Sequence, residues 1–170
     1  ERTDKMTYAV VYASATGNTK MLAEEIRRTR GEETCAYFGT AGEEIPEVDL
    51  VFAGFWTDKG DCSEELAQFL EGLHNRKVFL FGTAGFGGAE EYFARILERV
   101  KGHLAPDNEV VGTYMCQGRM PQSVRTRYEG MLQQNPEDER MKAMIENFDR
   151  ALEHPDQEDL ERLRRAVEKL

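Results

Sequence analysis

Apolar positions along the chain follow two spacings that alternate, and these predict alternating strands and helices. Five β-prone apolar runs have the length and composition of strands, at 7–13, 33–38, 49–55, 77–82 and 108–116. Between them, apolar side chains recur every three or four positions, as on one face of a helix, in 18–30, 63–73 and 90–101. Strands that alternate with helices in this way predict an α/β fold around a parallel sheet with right-handed crossovers.

After residue 120 the pattern is helical only. Three amphipathic segments follow, separated by Pro136 and Pro155. Their apolar stripes are Val124, Tyr128, Met131 and Leu132; Met141, Met144, Ile145, Phe148 and Leu152; and Leu160, Leu163, Val167 and Leu170. Packing against the rest of the domain is the simplest interpretation, and a partner or dimer contact is the alternative. We therefore expect a domain over residues 1–134 with a helical extension, 135–170, packed on the same domain.

Composition excludes several classes of function. The chain of 170 residues has a formal net charge of −10, which argues against nucleic acid as a partner because phosphates attract Lys and Arg. The same charge suits docking on a basic patch of another protein, although many cytoplasmic proteins are simply acidic. No apolar run approaches the ~20 residues of a membrane span. The polar start is unlike a secretory signal, so a cytoplasmic location is expected.

Cysteine and histidine spacing predicts neither a metal site nor a catalytic centre. Cys35, Cys62 and Cys116 are far apart in the sequence, with no CxxC pair and no Cys/His cluster at zinc spacing. A sparse, odd cysteine count is typical of a reducing cytoplasm. The three histidines fall at predicted helix ends or linkers and are expected on the surface. No Ser/His/Asp or Cys/His arrangement is visible, so the prediction includes no catalytic residue.

The stretch between the first strand and the first helix is rich in small hydrogen-bond donors and carries no charge. It consists of Ser14, Ala15, Thr16, Gly17, Asn18 and Thr19. Its hydroxyls, the unpaired N–H groups of the first helical turn and the helix dipole together predict an anion site. An ordinary helix cap is the alternative, but a cap needs only one such residue. The spacing matches neither the Walker A loop nor the GxGxxG dinucleotide loop.

This hydroxyl-x-Thr-Gly-x-Thr loop after a first strand resembles the FMN-phosphate loop of flavodoxins. The resemblance covers residues 7 to about 134. It implies a flavodoxin-like three-layer sandwich with a five-stranded parallel sheet of order 2-1-3-4-5, an order taken over from the family. It also implies that FMN binds at the carboxyl ends of the strands, and that the helices after residue 134 are additions to the minimal fold.

The loop after the third strand contains the only tryptophan of the chain. The candidate site residues here are Phe55, Trp56, Thr57, Asp58, Lys59 and Gly60. A flat aromatic side chain beside a phosphate site favours stacking on a planar ring, and packing under the loop is the alternative. The flavodoxin resemblance implies that the peptide at Gly60 contacts flavin N5, which would place Lys59 beside N5. The contact could instead fall at Thr57–Asp58, because this loop is longer than is usual in the family.

The loop after the fourth strand resembles the flavodoxin pattern G-x-x-G-aromatic-G. Its candidate residues are Thr83, Ala84, Gly85, Phe86 and Gly87. The resemblance implies that Phe86 lies against the second face or the edge of the flavin, with the backbone of this loop at the pyrimidine side. A glycine-rich turn without a ligand is the alternative, so this loop is weak evidence by itself.

The segment 116–121, CQGRMP, departs from ordinary short flavodoxins. Cys116 is expected in the core at the end of a strand, whereas Gln117 and Arg119 could rim the flavin and meet a partner. With this segment, the aromatic loops and the helical tail, the whole chain resembles flavodoxin-like proteins of anaerobic gut bacteria. Some of those proteins are associated with bilirubin reduction.

The resemblance implies an electron carrier rather than an enzyme. The predicted protein binds FMN, is monomeric, and passes low-potential electrons from a reductase to an electron-accepting enzyme, which it meets through its acidic surface. The alternative is an FMN-dependent oxidoreductase that uses NAD(P)H on quinones, although no basic cleft for a nicotinamide phosphate is obvious in the sequence. A fold relative that binds no flavin and acts as an interaction module is a third possibility.

Overall fold

A computed structural model describes residues 6–42, 44–86 and 90–170 of the chain. Its strands are β1 (Tyr8–Tyr12), β2 (Cys35–Thr40), β3 (Leu50–Trp56), β4 (Lys77–Ala84) and β5 (Glu109–Gln117). Its helices are α1 (Asn18–Arg30), α2 (Glu64–Glu71), α3 (Glu90–Lys101), α4 (Gln122–Gln134), α5 (Glu139–Ala151) and α6 (Gln157–Glu168). No described helix has the length and apolar content that a membrane span requires.

The five strands form one parallel sheet in the order β2-β1-β3-β4-β5, which confirms the predicted flavodoxin-like topology. Neighbouring strands end at nearly the same height, because Tyr12 pairs with Gly54 and Trp56 with Thr83. The carboxyl ends of β1, β3, β4 and β5 therefore meet along one edge of the sheet, where ligands of open parallel sheets bind.

Two hydrophobic cores lie on opposite faces of this sheet. On one face, α2 and α3 cover the side chains around Val51, Leu66 and Ile96. On the other face, α1 and α6 pack side by side over Tyr8 and Phe52. Helices α4 and α5 lie in the chain between β5 and α6 and pack against each other.

The last helix belongs to the sandwich itself. Leu163 and Val167 of α6 are fully buried with Leu22 and Ile26 of α1. The two helices of the predicted extension, 135–170, thus differ, because α6 closes a sheet face whereas α5 packs against α4. The boundary at residue 134 stays a prediction.

The central strands carry glycine opposite phenylalanine close to the ligand edge. Phe55 pairs with Gly82, and Gly54 pairs with Phe81. A Cβ built on Gly82 would lie 2.3 Å from Cζ of Phe55, and one on Gly54 would lie 2.3 Å from Cζ of Phe81. Each ring therefore lies over bare backbone of the neighbouring strand, which only glycine permits. This packing fixes the ends of β3 and β4 below the candidate site.

Candidate cofactor site

A cavity of about 530 Å³ opens at the carboxyl edge of the sheet. Its volume falls in the range of ligand pockets in proteins, roughly 300–1,000 Å³. Residues from all three candidate loops line it, namely Ala15, Thr16, Asn18, Trp56, Thr57, Asp58, Lys59, Gly60, Thr83, Ala84, Gly85 and Phe86. The structure thus brings together segments that are up to about 70 residues apart in the sequence. Gly87 lies outside the described residues.

The three hydroxyl side chains of the first loop differ in their hydrogen-bond partners and in their position relative to the cavity. Ser14 Oγ accepts hydrogen bonds from the backbone N–H of Gly17 at 3.1 Å and of Lys20 at 3.4 Å, so this side chain holds the first turn of α1. Thr19 is fully buried and donates its hydroxyl to the carbonyl of Phe55 at 3.1 Å, which ties α1 to the end of β3. Of the three, Thr16 is the one whose side chain borders the cavity.

The start of α1 faces the same cavity. Gly17 has φ 92°, a left-handed conformation that places the following amides at the helix N-terminus without a Cβ in the way. Asn18 is 5% exposed, and its Oδ1 has no hydrogen-bond partner among the described residues. Unpaired amides and the helix dipole favour an anion at such a position.

The second loop ends in a tight two-residue turn. Asp58 and Asp61 exchange both backbone hydrogen bonds, with N···O distances of 2.8 and 3.1 Å. The two residues between them have positive φ, 55° at Lys59 and 82° at Gly60, which is the pattern of a type I′ turn. Glycine is favoured at the second position of such a turn, which is Gly60. Lys59, at the first position, has a left-handed backbone conformation that is uncommon for a residue with a side chain. The turn presents the exposed Lys59 at the cavity.

A partly buried contact between a histidine and a carboxylate holds the base of this turn. Nε2 of His103 lies 3.1 and 3.2 Å from the two carboxylate oxygens of Asp61, which also accepts from the N–H of Cys62 at 2.7 Å. The histidine side chain is 25% exposed, so it is partly covered at the surface position that the sequence predicted. Burial raises the pKa of the Cys62 thiol to about 12, which keeps this cysteine protonated and unreactive.

The third loop continues directly from β4. The strand extends two residues beyond the predicted end at 82, so Thr83 and Ala84 are strand residues and are almost completely buried. Backbone pairing explains this, because the carbonyl of Thr83 accepts from Thr57 at 2.9 Å and that of Ala84 from Gly118 at 2.9 Å. Phe86 beyond the strand is 38% exposed.

Two amide side chains hold the next carbonyl of this loop. Gly85 O accepts from Nε2 of Gln117 at 2.9 Å and from Nδ2 of Asn147 at 3.0 Å. The Gln117 amide is also 3.1 Å from Oδ1 of Asn147, so the three groups form a closed triangle. Asn147 belongs to α5, which thereby fixes a loop of the cavity from outside the sheet.

Sequence reasoning missed one wall of the cavity. The segment 118–121 and helix α4 supply Gly118, Arg119, Met120, Pro121, Val124, Arg127 and Tyr128. Segment 116–121 was expected at the rim, whereas the apolar stripe of α4 was interpreted as packing or a partner contact and not as part of a site. The signal lay in the sequence: Pro121 starts a helix immediately after a strand that ends at the ligand edge, so the first turns of that helix must stand beside the site.

The packing of this wall against the sheet loops is close. A Cβ on Gly118 would lie 2.4 Å from Nδ2 of Asn18, and a Cβ on Gly85 would lie 2.5 Å from Sδ of Met120. The Arg119 carbonyl accepts from Nδ2 of Asn18 at 2.8 Å and from the Thr16 hydroxyl at 3.2 Å. The wall is therefore seated directly on the first loop.

Comparison with known proteins agrees with this geometry. The family model of the flavodoxin domain matches residues 9–168. The chain belongs to the flavodoxin family. The flavodoxin-like domain-containing protein BilS of Clostridium symbiosum is 38% identical over 172 residues, covering 91% of this chain and 90% of that protein.

Solved flavodoxin structures share the fold. A short-chain flavodoxin associated with a bacterial microcompartment superposes with a TM-score of 0.60 at 16% identity, over 98% of this chain and 97% of its own. A flavoprotein from Lactobacillus acidophilus in complex with FMN gives a TM-score of 0.51 at 14% identity, over 66% of this chain and 94% of its own.

The residues of the cavity fit the flavin cofactor of a flavodoxin. Trp56 and Phe86 offer aromatic surface for a planar ring. Thr57 Oγ1 is buried at the cavity and has no hydrogen-bond partner in the described part of the chain, and Asn18 Oδ1 is in the same state. Buried polar atoms of this kind are costly unless a ligand or water satisfies them. The aromatic surface and the unpaired side-chain atoms match a flat ring with polar edges, and the backbone amides at the start of α1 match an anionic tail.

Proposed function

We propose that this protein binds FMN in the cavity and carries electrons from a reductase to an electron-accepting enzyme. The observation that carries the proposal is the cavity itself, which combines a donor-rich helix N-terminus with the exposed Phe86 ring and the partly buried Trp56 ring. In this arrangement the phosphate lies toward Thr16 and Asn18, and the ring lies between Trp56 and Phe86. Bound FMN supplies one- and two-electron redox chemistry at that site.

The chain's own residues have three tasks in this proposal. Backbone amides at the start of α1 hold the phosphate, and the Thr16 hydroxyl fixes the Arg119 carbonyl beside it. The aromatic pair and the wall formed by Met120 and Tyr128 keep water from much of the ring. Lys59 places a positive charge at the turn beside the cavity and thereby favours added electrons. No proton-transferring residue is required, which is consistent with a carrier.

Binding is tested by titrating the apoprotein with FMN and following flavin absorbance and fluorescence. We expect a saturable shift of the flavin bands and quenching of the fluorescence, because Trp56 stacks on the ring. Trp56→Leu should restore much of the fluorescence, and Trp56→Phe should retain the quenching in part. A protein that stays colourless after incubation with FMN would exclude the flavin role and favour an interaction module.

Electron transfer is tested separately on the loaded protein. Mixed with NAD(P)H and a quinone, the holoprotein should turn over slowly, since a carrier receives electrons from a reductase. Rapid NAD(P)H oxidation would overturn the carrier proposal in favour of the oxidoreductase alternative.

The net charge of −10 predicts that reduction by a reductase slows as salt increases, because salt screens the attraction between this protein and a basic docking patch on the reductase.

The enzyme that accepts electrons from this protein is chosen on the sequence resemblance alone. The sequence resemblance associates proteins of this kind with bilirubin reduction, so a bilirubin-reducing enzyme is the first acceptor to test. The prereduced holoprotein should be reoxidised on mixing with that enzyme and bilirubin together, but not with bilirubin alone. Reoxidation by bilirubin alone would indicate a direct reductase.

A monomeric, cytoplasmic protein is part of the same proposal and is tested by its mass in solution and by cell fractionation.

A further inference from the structure

We propose that Arg119 supplies the positive charge for the FMN phosphate that the first loop lacks, and so makes the site selective for FMN over riboflavin. Residues 14–19 contain no Lys or Arg. The proposal rests on the proposed FMN function, and it assigns to a residue outside the three sheet loops a direct contact with the cofactor.

The backbone of Arg119 is fixed against the first loop. Its carbonyl accepts from both Thr16 Oγ1 and Asn18 Nδ2, and its N–H donates to the carbonyl of His154 at 3.1 Å. The preceding residue, Gly118, approaches Asn18 so closely that a side chain there would clash. These contacts hold the Arg119 backbone within hydrogen-bond distance of two residues that line the phosphate end of the cavity.

The side chain of Arg119 is available for an anion. It lines the cavity and is exposed. Among the described residues no carboxylate lies within ion-pair distance of its guanidinium, whereas Arg125 is bound by Glu129 and Asp149. A guanidinium matches a phosphate with two parallel N–H donors, a geometry that an ammonium or an amide cannot reproduce.

Three cations line the described part of the cavity, and their placement distinguishes them. Lys59 stands on the turn of the second loop, at the ring end. Arg127 projects from α4, with its guanidinium carbon 5.8 Å from the centre of the Tyr128 ring. Arg119 is the one whose own backbone is hydrogen-bonded to the first loop. The chain carries a net charge of −10, which repels the phosphate dianion, so a cation at this end has a clear electrostatic effect.

The test compares two flavins that differ only in the phosphate. Apoprotein is titrated with FMN and with riboflavin, and the selectivity is the ratio of the two dissociation constants, Kd for riboflavin over Kd for FMN. Arg119→Gln should lower this ratio about tenfold or more, since a charge-assisted hydrogen bond is lost. Riboflavin affinity should stay within about twofold of wild type. Arg119→Lys should retain part of the ratio, because charge remains and the bidentate geometry is lost.

Arg127→Gln is the matched comparison, since it removes the same group from the same cavity but from a position without a contact to the first loop, and it should lower the ratio less than Arg119→Gln does. The inference is overturned if Arg119→Gln keeps the wild-type ratio, or if Arg127→Gln lowers the ratio at least as much. Failure of wild type to bind either flavin would instead reject the proposed function. These outcomes separate the two proposals.

The salt dependence of FMN binding offers a second measurement. Raising the ionic strength from about 0.05 to about 0.5 M screens both the repulsion from the net charge of −10 and the attraction of Arg119. The dissociation constant for FMN should therefore rise more with salt, or fall less, in wild type than in Arg119→Gln, because only wild type has the attraction to lose. An equal salt response of the two proteins would contradict a contact between Arg119 and the phosphate.

Discussion

The cavity has two halves that are built in different ways. The sheet half consists of the ends of β3 and β4 with the loop residues that follow β1, β3 and β4. The helical half consists of residues 118–121 and α4, which line the cavity, and of α5, which supports it from outside. Backbone hydrogen bonds hold the sheet half, as in the pairs Ala13 with Gly54 and Thr57 with Thr83. Side chains hold much of the helical half against it, through Asn147 on Gly85 O and through Thr16 and Asn18 on Arg119 O.

This difference separates what the fold requires from what the chain has added. A change at a buried residue, such as Phe55 or Thr19 in the sheet half or Phe148 of α5, disturbs the core. A change at a residue that lines the cavity, such as Thr16 or Phe86, leaves the core intact. Substitutions at buried and at cavity-lining residues should therefore differ in whether they alter the free energy of unfolding or the affinity for FMN.

The largest expected effect comes from Phe55→Ala in the sheet half. The Phe55 ring is fully buried over Gly82, so its removal leaves a cavity and should lower the free energy of unfolding by about 3–5 kcal/mol. Phe86→Ala is the comparison, since this ring is 38% exposed at the same site. It should change stability by less than about 1 kcal/mol and weaken FMN binding. Urea denaturation and FMN titration distinguish the two; similar stability losses would contradict the separation.

The two threonines of the first loop test the separation within one turn of chain. Thr19→Val leaves the buried carbonyl of Phe55 without its donor and should destabilise the protein by about 1–3 kcal/mol. Thr16→Val removes the hydroxyl that holds the Arg119 carbonyl at the cavity, so it should weaken FMN binding about tenfold, with little loss of stability. Denaturation of the apoprotein and FMN titration are the measurements. A Thr16 variant with unchanged affinity would return that residue to a purely structural role.

The sequence predicted the sheet half far better than the helical half, and the reason is physical. Buried strands produce apolar runs, and a helix packed on a sheet produces apolar positions every three or four residues. Both patterns are visible in the sequence, and α1 begins and ends at the predicted residues 18 and 30. Strand β2 begins two residues later than predicted, because a 3₁₀ turn at Glu32–Thr34 intervenes. These are local effects that neighbouring residues largely determine.

Long-range contacts explain what the sequence could not supply. Thr16 and Thr19 look alike in the first loop, and both hydroxyls donate to distant backbone carbonyls. Thr19 is buried against Phe55, whereas Thr16 lies at the cavity beside Arg119. Asn147 meets Gly85 across 62 residues, and Arg119 meets Thr16 across 103. No periodicity of hydrophobic residues encodes such pairs, so α4 was predicted as a helix but its role as a wall of the cavity was not.

A smaller effect is expected from Asn147→Leu in the helical half. The variant removes one of the two amides on Gly85 O and leaves Gln117 as the other donor. We expect a loss of stability of about 1 kcal/mol and a few-fold weaker FMN binding, because the third loop is held less firmly. Glu146→Gln, at an exposed neighbouring position of α5, is the control. Equal effects of the two substitutions would show that the helix, rather than the amide contact, supports the loop.

The smallest expected effect is electronic and concerns Lys59, at the tip of the turn in the sheet half. A positive charge near the ring stabilises the more negative, reduced flavin, so removing the charge should lower the reduction potential. At ~10 Å and an effective dielectric constant between about 20 and 80, one charge contributes roughly 0.4–1.7 kcal/mol, or roughly 20–70 mV for one electron.

Lys59→Asn removes the charge and suits the left-handed first position of a type I′ turn, so the loop should keep its shape. Lys77→Asn, at the opposite end of β4, makes the same change in net charge. A redox titration should show a shift for Lys59→Asn and a smaller one for Lys77→Asn; equal shifts would mean that net charge alone acts and that the turn does not lie at the ring.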